Sequence, residues 1–201
     1  MASIKKILKF VLIIALCVGG VTAVGGVALV FYFGYQMEQA TKTVTDVDRY
    51  SEFVGSSDDP LTSHFPKIIP DNAKNVKLHF TPGFLQGGTI FQLRMQLPPE
   101  EIASLATQFQ PQAKRQYVSG SNNNSPKQET SPDGMTVTFD YRFHTGDHSP
   151  DEVSKRFPDN YDLYVLEDTR GAPEYDWNHP EYYGMPINKV TSEVVYWMED
   201  W

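Results

Sequence analysis

Three side chains that can bind a metal ion stand close together in the sequence "FHTGDHSPDE". They are His144, Asp147 and His148, and imidazole and carboxylate groups are common ligands of Zn²⁺. Positions i, i+3 and i+4 would converge on a helix, but the Thr-Gly pair between them indicates a turn, and a short helix is predicted to begin at Ser149. Two hypotheses follow: a metal site or a polar turn with exposed histidines, and the sequence favours the turn.

A zinc site would need a further ligand, which only the fold could bring close, from His64 or His179. Signatures of nucleophilic catalysis are absent, because the sequence has no Gly-x-Ser-x-Gly motif and its one cysteine, Cys17, lies in an apolar N-terminal segment. We therefore expect a non-catalytic domain rather than a metal-dependent hydrolase. No cofactor is predicted apart from the metal that the histidine cluster would bind.

The C-terminal part of the chain is rich in aromatic and acidic residues. Residues 157–201 include one Phe, six Tyr and three Trp, among them every Trp of the chain. Aromatic rings beside carboxylates suit sugars and cationic groups. We predict a ligand-binding role for aromatic residues in and next to the polar loop "EDTRGAPEYDWNHPEYYG", and core positions for those of the strands. The first set is Tyr175, Trp177 and Tyr182, and the second is Tyr183, Tyr196 and Trp197.

A second candidate contact lies in "TPGFLQGGTIF", between two predicted strands. Phe84 and Leu85 occupy this wide hairpin loop, where they either pack onto the end of the domain or form an exposed ligand contact. The loop is not a phosphate-binding loop, because no Lys-Ser or Lys-Thr follows its glycines.

An apolar run over residues 10–35 contains no charged residue. As a helix it would be about 39 Å long, which exceeds the ~30 Å hydrocarbon core of a bilayer. The run is too long for a cleavable signal peptide, whose apolar region has ~7–15 residues. Leu16, directly before Cys17, disfavours lipid attachment at that cysteine. We predict a retained transmembrane helix.

The charges that flank this helix predict its orientation. Lys5, Lys6 and Lys9 precede it, and positive flanks stay in the cytoplasm. Residues 1–9 are therefore predicted to be cytoplasmic, and the C-terminal domain to be periplasmic or extracellular at the cell membrane.

Small residues share one face of the predicted helix and would let a second helix approach closely. Homo-oligomers, or a complex with another membrane protein, would form through this face, which consists of Ala15, Gly19, Ala23 and Gly26.

Charge restricts the partners of the exported part. The chain has 17 basic and 25 acidic residues, and three of the basic ones precede the span, so the exported part has a net charge of about −11. Such a surface repels phosphate backbones, which excludes nucleic acid as a partner. Because the exported part has no cysteine, it has no internal disulfide, which favours a bacterial envelope protein.

Hydrophobic periodicity predicts an α+β fold. The segments "VKLHF", "FQLRMQL" and "TVTFDYRF" each have one apolar and one polar face, which is typical of antiparallel strands covered on one side. "YDLYVLED" is a further strand, while "YYGMPIN" and "EVVYWMEDW" are apolar on both faces and so are predicted to be central or covered twice. "PPEEIASLATQF" has the apolar stripe of a helix. We predict a mainly antiparallel sheet of about five or six strands, with one face covered by a long helix.

The predicted organisation is a cytoplasmic N-terminus, a transmembrane helix, a juxtamembrane stalk and lead-in loop over residues 36–72, and an exported α+β domain over residues 73–201. Residues 119–134 are polar and are predicted to form a mobile loop. The favoured function is an acidic, non-catalytic interaction domain of an envelope complex. A glycan or cell-wall binding module is the first alternative, and a metal-dependent hydrolase is the second.

Overall fold

The computed structural model describes residues 31–32, 34–35, 37, 41–54, 59–83, 87–118, 127–130, 134, 136–145, 155–170 and 179–201. The chain divides into two compact units, Met1–Lys42 and Thr43–Trp201. In the first unit the described residues before Lys42 are helical, and the Thr41 hydroxyl donates to the Met37 carbonyl at 3.0 Å. Among the helices of these described ranges, none is long and apolar enough to cross a membrane. Most of the predicted span, and all of its small-residue face, lie outside the described residues.

The second unit contains ten strands and two α-helices among its described residues. The helices are α1, Tyr50–Phe53, and α2, Pro99–Phe109, and a 3₁₀ turn precedes α1. The strands are β1, Lys74–Thr81; β2, Thr89–Gln96; β3, Arg115–Tyr117; β4, Lys127–Thr130; β5, Thr136–Phe139; β6, Arg142–Phe143; β7, Lys155–Arg156; β8, Asp162–Asp168; β9, Glu181–Asn188; and β10, Glu193–Asp200.

Six of these strands form the main sheet, in the order β1-β2-β10-β9-β8-β3. The described pairings are antiparallel throughout this sheet, which confirms the predicted mainly antiparallel α+β architecture. The two strands that are apolar on both faces, β9 and β10, occupy its middle. Trp197 on one face of β10 and Val194 on the other are both fully buried, as expected of strands covered on both sides.

A first core covers one face of the main sheet. The apolar side of β2 (Phe91, Leu93 and Met95) is fully buried there, as its period-two alternation predicts. Helix α2 contributes Ile102 and Phe109 to this core. The predicted long helix is not supported, because α2 has 11 residues, and it shares the covering role with the segment that precedes β1.

The segment that precedes β1 is built into the folded unit rather than standing apart from it. Val44 exchanges two backbone hydrogen bonds with Phe80 at the edge of the sheet, at 2.8 and 2.9 Å. The ring of Phe53 stacks on that of Phe80 at 4.0 Å, and Tyr50 and Phe65 are buried in the first core. Apolar burial therefore holds this part of the chain against the sheet.

A second core covers the opposite face, so the prediction of a sheet covered on one side only is corrected. Two small hairpins lie there: β4 pairs with β5, and β6 pairs with β7. The predicted single strand "TVTFDYRF" thus contributes to two short strands outside the main sheet, and β4 lies within the segment predicted to be a mobile loop. The second core is aromatic, with Tyr141, Phe157 and Trp197 all fully buried.

One glutamine explains how the polar face of β2 can be buried. Gln92 is fully buried, and its side-chain amide donates to the Arg142 carbonyl at 2.7 Å and accepts from the His144 backbone N–H at 2.9 Å. The amide side chain thus satisfies the backbone of the covering segment as a neighbouring strand would. The polar residue type predicts that Gln92 is exposed to solvent, but these two hydrogen bonds allow its side chain to be buried.

Candidate functional site

A groove of about 480 Å³ opens beside the first core. It lies where the segment before β1, the end of α2 and the neighbouring ends of β8 and β9 meet. Its volume falls within the range of small-molecule sites, roughly 300–1,000 Å³. Most of its lining side chains are polar, and two apolar ones, Phe109 and Leu166, contribute to it. The groove is therefore suited to a polar ligand.

His64 lines the groove with an incompletely satisfied ring. Its Nε2 lies 3.2 Å from the Trp197 carbonyl oxygen, whereas Nδ1 is buried and has no hydrogen-bond partner among the described residues. Burial lowers the pKa of His64 to about 4, against smaller opposing effects of the Trp197 and Gly184 backbone. The imidazole is thus neutral at pH 7. The Nε2–H tautomer would donate to Trp197 and leave Nδ1 as an acceptor.

Tyr183 forms the aromatic part of the groove lining. Its ring stacks on the ring of His64, with centroids 5.2 Å apart and planes inclined by 22°. Tyr183 is half-buried, unlike Tyr196 and Trp197, which lie in the cores at 5% and 0% exposure. The core position predicted for Tyr196 and Trp197 agrees with the structure, whereas Tyr183 lies at the border between core and groove.

An ion pair between Lys114 and Glu167 contributes the charges of the groove. The Lys114 ammonium donates to Glu167 Oε1 at 2.6 Å, and the two side chains are 61% and 27% exposed. Because the two charges neutralise each other and His64 is neutral, the lining has no net charge. An exposed pair of this kind adds little stability, about 0–1 kcal/mol.

Amide and hydroxyl groups complete the lining. Gln112 Nε2 donates to the Gln108 carbonyl at 2.9 Å, and the Ser63 hydroxyl donates to the Pro60 carbonyl at 2.9 Å. Each of these side chains uses part of its hydrogen-bonding capacity within the protein and keeps further donor or acceptor positions.

The predicted metal cluster is described at only one of its three positions. His144 lies against the second core, with its ring 5.0 Å from that of His79 and its Nε2 3.8 Å from Glu199 Oε1. Asp147 and His148 lie outside the described residues. Burial lowers the pKa of His144 to about 4, with additional effects of His79 and Arg142.

The two proposed additional ligands lie in other surroundings, since His64 lines the groove and the His179 ring contacts the Trp201 carbonyl at 3.0 Å. Within the described ranges, no three His, Cys, Asp or Glu side chains are placed to hold one metal ion.

The predicted aromatic ligand site is also described at one position. Tyr182 is 7% exposed, and its hydroxyl donates to Glu199 at 2.6 Å, so its ring contributes to the second core. Tyr175 and Trp177 lie outside the described residues, as do Phe84 and Leu85 of the other predicted contact. Both loops nevertheless join the sheet at the same end, because Asp200 pairs with Thr89 on one side and with Glu181 on the other.

Glu199 is an acid buried against the second core. It accepts hydrogen bonds from Tyr182 and from the indole N–H groups of Trp197 and Trp201, at 2.6, 3.1 and 3.1 Å. Burial raises the pKa of Glu199, although these three donors oppose the change by favouring the carboxylate. The acid is thus held by fixed partners at the end of β10.

Two further acids are paired inside the second core. Glu193 bonds Arg94 and the Tyr161 hydroxyl, both at 2.6 Å; burial acts to raise its pKa, but these hydrogen bonds outweigh burial and lower it. Asp168 accepts from Arg170 at 2.7 Å and from Tyr141 at 2.8 Å.

Sequence reasoning missed the groove because its residues come from distant segments. The sequence indicates His64 only as a possible metal ligand and Tyr183 only as a core residue, and neither Lys114 nor Glu167 stands out in its local pattern. No local sequence signal identifies the four as neighbours, since the pairing of β8 with β9 and the path of the preceding segment bring them together.

Comparison of the chain with protein-family models, with curated proteins and with solved structures gives no match.

Proposed function

We propose that this chain is a single-pass membrane protein with a cytoplasmic N-terminus, and that its exported domain binds a partner without catalysis as part of an envelope complex. The anchor rests on the uncharged apolar run over residues 10–35 and on the lysines that precede it. The acidic exported part favours a neutral or basic partner surface.

One observation carries the non-catalytic part of the proposal. The buried acids of the second core are occupied by internal partners: Glu193 by Arg94 and Tyr161, and Glu199 by three donors. A catalytic acid or base must instead reach a substrate proton. These acids are better explained as groups that fix the packing of the covering hairpins.

Crosslinking on intact cells tests the proposed partner binding. The full-length chain, expressed at its native level, is crosslinked and its adducts are compared with those of two variants. In one, residues 10–35 are replaced by an unrelated span; in the other, residues 84–86 become Gly-Ser-Gly. We expect a defined heteromeric adduct that at least one replacement removes. Recovery of the uncrosslinked monomer alone, at several crosslinker lengths, would contradict the proposal.

Glycan or cell-wall binding is the second candidate function, and the polar lining of the groove, which has no net charge, favours it. Binding of the glycan by the predicted aromatic residues of segment 171–178 has its own test. The full-length protein in nanodiscs is sedimented with purified cell-wall polysaccharide, with and without Trp177→Ala. If that loop is the site, the substitution removes co-sedimentation and leaves the melting temperature unchanged. Equal sedimentation of both forms would exclude Trp177 as a binding residue.

A further inference from the structure

We infer that the groove beside α2 is a binding site for a neutral, hydroxyl-rich ligand, that is, the end of a glycan. The inference gives the glycan-binding candidate a specific site, which is separate from the predicted loop residues. It does not depend on the envelope-protein partner, so either proposal can fail while the other stands.

The charge of the groove excludes ionic ligands as its preferred occupants. Lys114 and Glu167 form an ion pair at 2.6 Å. An anionic ligand would have to compete with Glu167 for Lys114, and a cationic ligand with Lys114 for Glu167. His64 adds no charge at neutral pH. The exported part as a whole, at about −11, further disfavours anions.

The hydrogen-bonding groups of the lining match hydroxyl groups, which both donate and accept. Gln108 and Gln112 offer amide donors and acceptors, Glu167 offers an acceptor and Lys114 a donor. His64 Nδ1 is closed off from solvent, so His64 contributes its ring to the lining and not a hydrogen-bonding atom for the ligand.

Tyr183 supplies the flat apolar surface that a sugar ring needs. Its ring is held in place by the stacked ring of His64 at 5.2 Å, and Tyr183 is only half-buried. The C–H face of a pyranose can pack on such a ring while its hydroxyl groups reach the surrounding polar side chains. A ring fixed before binding loses little conformational entropy when the ligand arrives.

A peptide fits the groove less well than a sugar. Peptide recognition usually relies on apolar pockets for anchor side chains or on an open strand edge. Of the apolar lining residues, Phe109 is 7% exposed and belongs to the first core. Of the strands next to the groove, β9 pairs with a strand on each side, and β8 lacks a partner on its outer side only beyond Val165. The edge left at Leu166 and Glu167 is too short for an added strand.

Ligand-observed NMR on the full-length protein tests this site. The protein is placed in phosphatidylcholine nanodiscs, because glycosidic detergents would compete for the groove. The probes are maltotriose, cellotriose and tri-N-acetylchitotriose, with inorganic phosphate as the ionic comparison. We expect saturable binding of at least one trisaccharide with a Kd of about 1 mM or tighter, and none of phosphate.

Matched substitutions on α2 and next to it locate the binding. Gln108→Ala and Lys114→Ala each remove a groove donor and are expected to weaken binding about tenfold. Thr107→Ala is the control, because Thr107 is exposed, bonds the Ala103 carbonyl at 2.9 Å and does not line the groove. Circular dichroism checks that all three variants keep the wild-type melting temperature.

Three outcomes would overturn the inference. If none of the three trisaccharides binds at about 10 mM, neutral glycans are excluded as ligands of the groove. Equal affinity of the two groove variants and the Thr107→Ala control moves the binding elsewhere. Phosphate binding that Lys114→Ala removes, without trisaccharide binding, would make the groove an anion site.

Discussion

Acidification should destabilise the folded domain through His64. The ring is held neutral in the folded state, where burial lowers the pKa of His64 to about 4, while the unfolded chain binds a proton near pH 6.5. Between these two values the unfolded state carries more protons than the folded state. Stability contributed by the neutral ring is therefore fully present above pH 6.5 and falls as the pH falls toward 4.

The size of this effect follows from the difference between the two pKa values. One pKa unit corresponds to about 1.4 kcal/mol, so a complete shift contributes at most about 3 kcal/mol at pH 4. Part of the His64 side chain lines the groove, which reduces the effect below that limit. We expect a slope of about 1 kcal/mol per pH unit between pH 6 and 4.5 from this residue alone.

Other titrating groups act on the same pH range. His144 has a lowered pKa of about 4 and adds a slope of the same sign. Glu199 has a raised pKa, so the folded state takes up its proton first, and this group opposes the loss as the pH falls. A comparison of variants therefore isolates His64 better than the wild-type curve does.

Urea unfolding of the full-length protein at pH 7, 6, 5 and 4.5 measures the effect. His64→Gln is the informative variant, because a glutamine amide can still donate to the Trp197 carbonyl but does not titrate. We expect its free energy of unfolding to fall less steeply with acidification than that of the wild type. Thr107→Ala, which changes no titrating group at an exposed position of α2, is the control, and its free energy of unfolding should fall with acidification as steeply as that of the wild type. Identical slopes for His64→Gln and the wild type would refute the reasoning.

Three further predictions concern packing, buried charge and metal. Gly184→Ala should unfold the domain or lower its stability by about 3 kcal/mol, because the new Cβ would clash with the Tyr164 carbonyl oxygen and lie 3.0 Å from Val165 Cα. Thermal unfolding measures this loss, and a decrease of less than about 1 kcal/mol would contradict the reasoning. Glu193→Gln should cost about 3 kcal/mol in urea unfolding, since it leaves the Arg94 guanidinium, at 18% exposure, without its counter-charge. Glu167→Gln in the more exposed pair should cost less than about 1 kcal/mol, and equal costs would refute the ranking. A chelator should leave the melting temperature unchanged, and a decrease that zinc reverses would instead support the metal hypothesis for the residues around His144.

Local sequence patterns predicted much of the main sheet. Period-two alternation identified β1 and β2, and apolar residues on both faces identified β9 and β10 as central or covered twice. This worked because side chains alternate along a strand wherever it lies in the sheet. The predicted long helix and the predicted one-sided cover were not supported, because the extent of covering depends on segments that are distant in sequence.

The covering of the polar face shows this limit most clearly. Gln92 and Arg94 have the residue types of a solvated face, yet Gln92 is fully buried and Arg94 is 18% exposed. Their hydrogen bonds go to the Arg142 and Thr145 backbone and to Glu193. A polar residue type predicts solvent exposure only where the protein offers no hydrogen-bond partner that can replace water.

The sequence by itself determined the alternation of the strands, the apolar stripe of α2, the negative charge of residues 36–201 and the apolar N-terminal run that predicts a membrane anchor. These are local or summed properties, which need no knowledge of neighbours in space. The tertiary structure decided which polar groups are buried and paired and which line a groove. His64, Lys114, Glu167 and Tyr183 meet only because strand pairing and the path of the preceding segment place them together. Sites of this kind are set by long-range packing, for which the local pattern carries no signal.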